Sequence, residues 1–303
     1  MVPLSKLPAK ATVFLRMNTT SWQIRDRHAK PGFSFFARWA APAQAVLLTT
    51  LFFGCRPRVE HAKDEVFEQT YKIDPQASLS VRNPHGSIAI HGTETDELRL
   101  RAVKKANSSE EMKGIDITAI GETNSVSITT KFLSQKNKPL APGGRTVDYA
   151  IAIPPTLSLT RVDLEDGNLL IEGIRGNELR AAVVDGQLAI RNCCGNAQVT
   201  VANGGLDLFY ERCDRPRFSV NAQITNGNAR LFIRRGASFH IQAETTTGKI
   251  INEFPDMVDL NGRAVRKVDI FTGKGVSSEV KLRVTTGDIE IAEAQSDGNN
   301  PSQ

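Results

Sequence analysis

One turn-forming pair, followed by apolar residues at every second position, returns along the chain at nearly regular intervals. This repeat limits the fold more than any other feature. It reads HGSIAI from His85, DGNLLI from Asp166, DGQLAI from Asp185 and NGGLDL from Asn203. It continues less regularly as NGNARL from Asn226, TGKIIN from Thr247 and TGDIEI from Thr286. From Gly167 onward the glycines follow at 19, 18, 23, 21 and 39 residues, the last close to two periods. Asn-Gly and Asp-Gly adopt φ > 0 readily, so each pair marks a sharp corner. The alternation that follows, as in Leu169/Ile171 and Leu188/Ile190, turns every second side chain to one face. Strands this short bury that face by stacking, coil on coil, at about 4.8 Å. The repeat predicts an all-β chain, a single-stranded β-solenoid or β-helix of stacked coils of about 20 residues. Each coil is expected to hold about three short strands and three corners. An immunoglobulin-like sandwich also turns every 8–12 residues, but without the same corner returning at full-coil spacing.

The segments around the repeat divide the chain. Residues 1–55 read as a leader, 56–65 as a linker, 66–293 as the β domain and 294–303 as a disordered tail. Inside the domain, NSSEEMKG at 107–114 breaks the alternation. Ser109 before Glu110 and Glu111 is expected to cap a short helix near the N-terminal end. Residues 133–146, polar and rich in Pro and Gly, read as an excursion whose Lys136, Lys138 and Arg145 are candidate contacts.

Charge is concentrated in the leader. Residues 1–55 carry seven basic residues against Asp26 alone, leaving 31 of the 38 basic and 32 of the 33 acidic residues to the rest. The pI near 9.1 therefore belongs to the leader. The body, at net −1, lacks the positive excess that nucleic-acid binding uses, so no nucleic-acid partner is expected. WAAPAQAVLLTTLFF at 39–53 is too short for a spanning helix and has the basic flank and apolar core of a signal peptide. Met17 is an alternative translation start. Leu51-Phe52-Phe53-Gly54 before Cys55 resembles the lipobox of bacterial lipoproteins, although Phe52 and Phe53 replace its aliphatic and small residues. The resemblance implies lipidation of Cys55 and a membrane partner through that anchor.

Chemistry-bearing motifs are few. Cys193, Cys194 and Cys213 lack zinc spacing, and no GxSxG, HExxH or phosphate loop occurs. No cofactor, metal or catalytic residue is assigned. Cys194 and Cys213, one coil apart, are expected to reach disulfide range, with Cys193 as the other partner for the bridge. Asp163, Glu165, Asp166 and Asp185 offer the acids that a carbohydrate-active β-helix enzyme needs. Asp-Gly is also what a tight turn demands alone, and Asn203 and Asn226 take the same corner. Arg212, Arg215 and Arg217 lie one coil before Arg234 and Arg235, a candidate basic patch for an anionic glycan, a headgroup or an acidic protein. His85, His91 and His240 read as ordinary surface groups.

Three passages together resemble the bacterial adhesin-like β-solenoid family of unknown function. They are LSVRNPHGSIAIHGTETDELRLRAVKKA, read as a first hairpin with its HG corner, VDYAIAIPPTLSL with the coils after it, and GKGVSSEVKLRVTTGDIEI. The likeness runs over about 66–293 and departs at FYERCDRPRFSVNAQITNGNARLFIRR, where the coil lengthens. It implies a non-catalytic, exported surface or periplasmic binding or scaffold module of the cell envelope, partnered by an envelope protein or glycan. The alternatives are the carbohydrate-active enzyme and an envelope-associated regulatory partner.

Overall fold

The computed structural model describes residues 63–133, 144–213, 217–254, 265–275 and 278–294. The chain divides into two units, Met1–Arg56 and Pro57–Gln303, and every described residue belongs to the second. Cys55 and the 134–143 part of the excursion lie outside the described residues. The described strands begin with β1 (Lys63–Lys72), β2 (Ser78–Gly92), β3 (Glu97–Ala106), β4 (Ile115–Glu122), β5 (Ser125–Phe132) and β6 (Arg145–Ile153). Four long strands follow, β7 (Ser158–Glu172), β8 (Glu178–Arg191), β9 (Asn196–Tyr210) and β10 (Ser219–Ile233). The last are β11 (Phe239–Thr247), β12 (Ile250–Asn252), β13 (Lys267–Thr272), β14 (Ser278–Thr286) and β15 (Ile289–Glu293). Among the described residues a single short helix, α1 (Ser109–Lys113), interrupts them.

The protein is all-β, and its open sheet is mixed. β2, β7, β8, β9 and β10 run parallel. Antiparallel pairs, β1 with β3, β3 with β6, β4 with β5 and β11 with β13, close the two ends. The parallel tract excludes an immunoglobulin-like sandwich, which is antiparallel. The antiparallel ends, in turn, interrupt the uniform run of like coils that the repeat suggested.

Each long strand is bent at its glycine. In β8 the inward residues are Leu179, Ala181 and Val183 before the corner, then Leu188 and Ile190 after it. The inward set passes from odd to even numbers, so the corner absorbs one residue and both halves keep their apolar side to the core. Gly186 makes this possible at φ +143°. A Cβ there would also run into the carbonyl oxygen of Gly167 in the coil beside it. Backbone conformation and close approach both demand glycine.

The unit that repeats along the parallel tract is therefore two half-strands, one glycine corner and one loop, rather than three strands and three corners. The expected first hairpin is likewise one bent strand, β2. Its Gly86 alone has φ > 0, so the chain bends without reversing, and β2 stays parallel to its neighbours. Across the sheet these units come in the order β5/β6, β2, β7, β8, β9, β10, β14/β15, β11/β12. Relative to the sequence, the first two and the last two have changed places.

The helix start also differs from the expectation. Ser108, extended at φ −145°, is the cap, and its hydroxyl accepts the Glu111 N–H at 3.2 Å. Ser109 is already inside the helix, where the capping geometry is lost. Arg145 is buried rather than a surface contact; its guanidinium donates to the carbonyls of Gly114 and Leu133 at 3.2 and 2.9 Å. One continuous apolar cluster fills the inside of the bend. Its central ladder is Ile90, Ile171, Ile190, Leu208, Leu231 and Ile291, all 0% exposed. Each contributes roughly 1.5–3 kcal/mol relative to exposure.

Candidate binding surface

Residues next to that ladder point outward, because strand neighbours alternate. They form a row in register: His91, Glu172, Arg191, Phe209, Phe232 and Ala292. His91 Nδ1 stands 3.3 Å from the Glu172 carboxylate. The Arg191 guanidinium lies over the Phe209 ring, 4.9 Å from its centroid. Phe209 and Phe232 stack at 4.7 Å, their planes 8° apart. Such contacts contribute about 0.5–1.5 kcal/mol each and fix the rings face to face along the row. On the other side of the ladder a second outward row runs Ala89, Leu170, Ala189, Asp207, Arg230 and Glu290. Arg230 donates to both Asp207 oxygens at 2.7 and 2.6 Å.

The rows end in an open groove of about 510 Å³. Glu172, Glu211, Glu253, Glu290 and Glu293 line it with Phe209, Phe232 and Arg191. Ala292, 4% exposed, is recessed between its larger neighbours. Asn192, the one non-glycine residue with positive φ (51°) among the described residues, positions the rim. Its Oδ1 accepts the N–H groups of Glu211 and Arg212, both at 2.9 Å. Glu293 is taken by Arg235 at 3.0 Å. Among the described residues, no ion pair engages Glu211 or Glu253.

The residues singled out in the sequence are placed as follows. Arg212, Arg217 and Arg234 are exposed, Arg235 is in its pair with Glu293, and Arg215 lies outside the described residues. The Arg234 N–H donates to the Tyr210 carbonyl, so the loops after β9 and β10 run side by side. Cys194 and Cys213 are joined as a disulfide with Cα atoms 5.6 Å apart, and Cys193 is a buried free thiol. Three of the four acids bridge to neighbouring groups, and Glu165 is exposed. Asp163 is engaged by Arg161 and, at 3.6 Å, by Arg82. Asp166 and Asp185 are neighbours in the corner row, where His85 stands 3.6 Å from Asp166 and Asn203 donates to Asp185 at 2.8 Å. Asn226 donates to Asn203 at 2.9 Å and continues this ladder. His240 contacts Asp269 at 2.7 Å and stacks on Phe271.

Sequence reasoning missed Phe232, Arg191 and Glu172 as surface partners of Phe209. A signal existed, because Phe209 and Phe232 are as far apart as Gly204 and Gly227 and so occupy equivalent rungs. Tyr210, the neighbour of Phe209, points the other way and is buried at 2% exposure.

No family model matches the chain, and no curated protein does. Among solved structures it is similar to a "putative cell adhesion protein" from Clostridium sporogenes, at 15% identity and TM-score 0.49. That likeness covers 76% of this chain and 100% of the other. A "putative adhesin" from Bacteroides fragilis is similar at 11% identity and TM-score 0.35, over 76% of this chain and 97% of the other. These are distant likenesses, and the residues of the groove have to speak for themselves.

Proposed function

We propose that the chain is a non-catalytic, exported binding module of the cell envelope. It engages an envelope protein or glycan with the outward face of its second half-strands. The observation that carries this reading is the register row from His91 to Ala292, in which two stacked rings and a charged rim open into a groove on a rigid sheet. Aromatic and arginine groups on a fixed scaffold are what contact surfaces use. The parallel tract is read as a short solenoid closed at both ends. The leader and Cys55 supply export and a lipid anchor, and an oxidising compartment agrees with the Cys194–Cys213 bridge. The exposed Arg212, Arg217 and Arg234 offer positive charge for acidic groups on the same partner.

Two measurements test the reading. Fractionation is expected to place the chain with membranes and a Cys55→Ala variant in the soluble exported fraction; a cytosolic wild-type chain would overturn it. Binding of the chain to isolated envelope fragments is expected to fall at least about tenfold in Phe209→Ser/Phe232→Ser, roughly the loss of a 1.4 kcal/mol contact. A Gln198→Ser/Asn221→Ser control alters the other half-sheet. Equal binding by both variants and the wild type would remove the face from consideration.

A further inference from the structure

We propose that the rung at Ala292 receives the guanidinium group of an arginine carried by a partner protein. The inference rests on the reading that this face is a contact surface. Asn252 pairs with Ile291, and the Glu253 N–H donates to the Ile291 carbonyl at 2.9 Å, so Glu253 comes alongside Ala292. The row then reads Glu172, Arg191, Phe209, Phe232, Ala292, Glu253. About the ring pair it is nearly symmetric. On one side the chain's own Arg191 covers Phe209, with Glu172 one rung further out. On the other side Phe232 turns its outer ring face toward the methyl of Ala292, with Glu253 one rung further out. An arginine at that rung would complete the pattern; Ala292 supplies no side chain to do so.

The dimensions suit a planar cation. Phe232 and Glu253 sit two strand spacings apart, about 9.6 Å, with the 4% exposed Ala292 between them, so the exposed Glu253 side chain swings aside to admit the cation. One spacing matches the 4.9 Å at which Arg191 already lies over Phe209. A guanidinium inserted there would stack on the free ring face and present its N–H fork to a carboxylate, which accepts it through two parallel hydrogen bonds. A lysine ammonium is not planar and makes no such fork. Glu211 and Glu253, without ion pairs among the described residues, supply the complementary charge. At about 510 Å³ the groove exceeds one guanidinium, leaving room for the chain that carries it.

The test titrates the full chain at low salt with acetyl-Gly-Gly-Arg-Gly-Gly-amide, the same peptide with lysine, and free arginine, read by the peptide's NMR signals. The arginine peptide is expected to bind at least about fivefold more tightly than the lysine peptide or free arginine, since the fork and the flanking backbone both contribute. Ala292→Arg fills the rung from within and is expected to abolish peptide binding. Glu253→Gln, at an exposed position, is expected to weaken it about fivefold and serves where Ala292→Arg does not fold. Equal binding of the arginine and lysine peptides, or none at millimolar concentration, overturns the proposal, as does full binding by a folded Ala292→Arg chain or by Glu253→Gln. Free arginine binding as tightly as the peptide overturns the protein partner. If the peptides fail while Phe209→Ser/Phe232→Ser still loses envelope fragments, the guanidinium site falls and the contact surface stands.

Discussion

Asp148 sits partly buried where β6 meets the corner of β2. Its Oδ1 accepts the Ser87 N–H and hydroxyl at 2.8 and 2.7 Å, and Lys105 reaches its other oxygen at 2.8 Å. Burial opposes the charge, but the hydrogen bonds from Lys105 and Ser87 prevail and hold the carboxyl below its usual range. A carboxyl lowered by folding stabilises the protein above its unfolded pKa, and that contribution is lost as pH falls through the folded value. Asp148→Asn is therefore expected to cost about 1 kcal/mol at pH 7, discounted for partial exposure. In urea unfolding the gap should close as pH drops below about 4. Cys193 makes a second residue-scale case, because burial pushes its thiol up to about 12. It should resist iodoacetamide at pH 8 until the chain is unfolded, since the thiolate is the reactive form. Of Cys193, Cys194 and Cys213, one thiol is expected to titrate in denaturant without reductant and three with it; three without reductant would dispose of the bridge.

The corner is the element on which the parallel tract depends, and its tolerance can be measured rung by rung. Gly186→Ala places a methyl group at φ +143° and against the Gly167 carbonyl, so a loss above about 2 kcal/mol is expected. Gly205→Ala is the control. Its φ is not positive, and the atoms nearest the added carbon belong to the Gln187 side chain, which can move. Equal losses in thermal unfolding would mean that the corner row has no special demand. Such corners were legible in the sequence because their chemistry is local: the dipeptide, the glycine and the alternation after it lie within six residues. The connections between the long strands share a Gly-Asn pair at 176–177 and 195–196 but lengthen at 211–218, so sequence alone does not separate them from corners and the count of strands per repeat came out too high. The cap at Ser108 was missed by one residue for a related reason, since two adjacent serines offer the same hydroxyl and only backbone conformation separates them.

At the scale of the molecule, the pattern that revealed coils said nothing of which coil lies beside which. Every coil presents the same apolar face and the same ladder groups, so alternation cannot rank neighbours, and the exchanged coils at both ends were invisible. The groove was hidden for the same cause, because its row draws one residue from each of six strands. The exchange makes β14 and β15 the shared neighbours of β10 on one side and of β11 and β12 on the other. Ending the chain after residue 275 is thus expected to leave β11–β13 open to limited proteolysis while β7–β9 stay protected. Intact β11–β13 fragments from that truncated chain would contradict the strand order. The same placement bears on folding. A chain that emerges N-terminus first can stack β7, β8, β9 and β10 as each arrives, but β11 and β12 must wait beside a gap for the residues that follow them. Folding from one end to the other halts there, and only the arrival of residues 278–293 releases it.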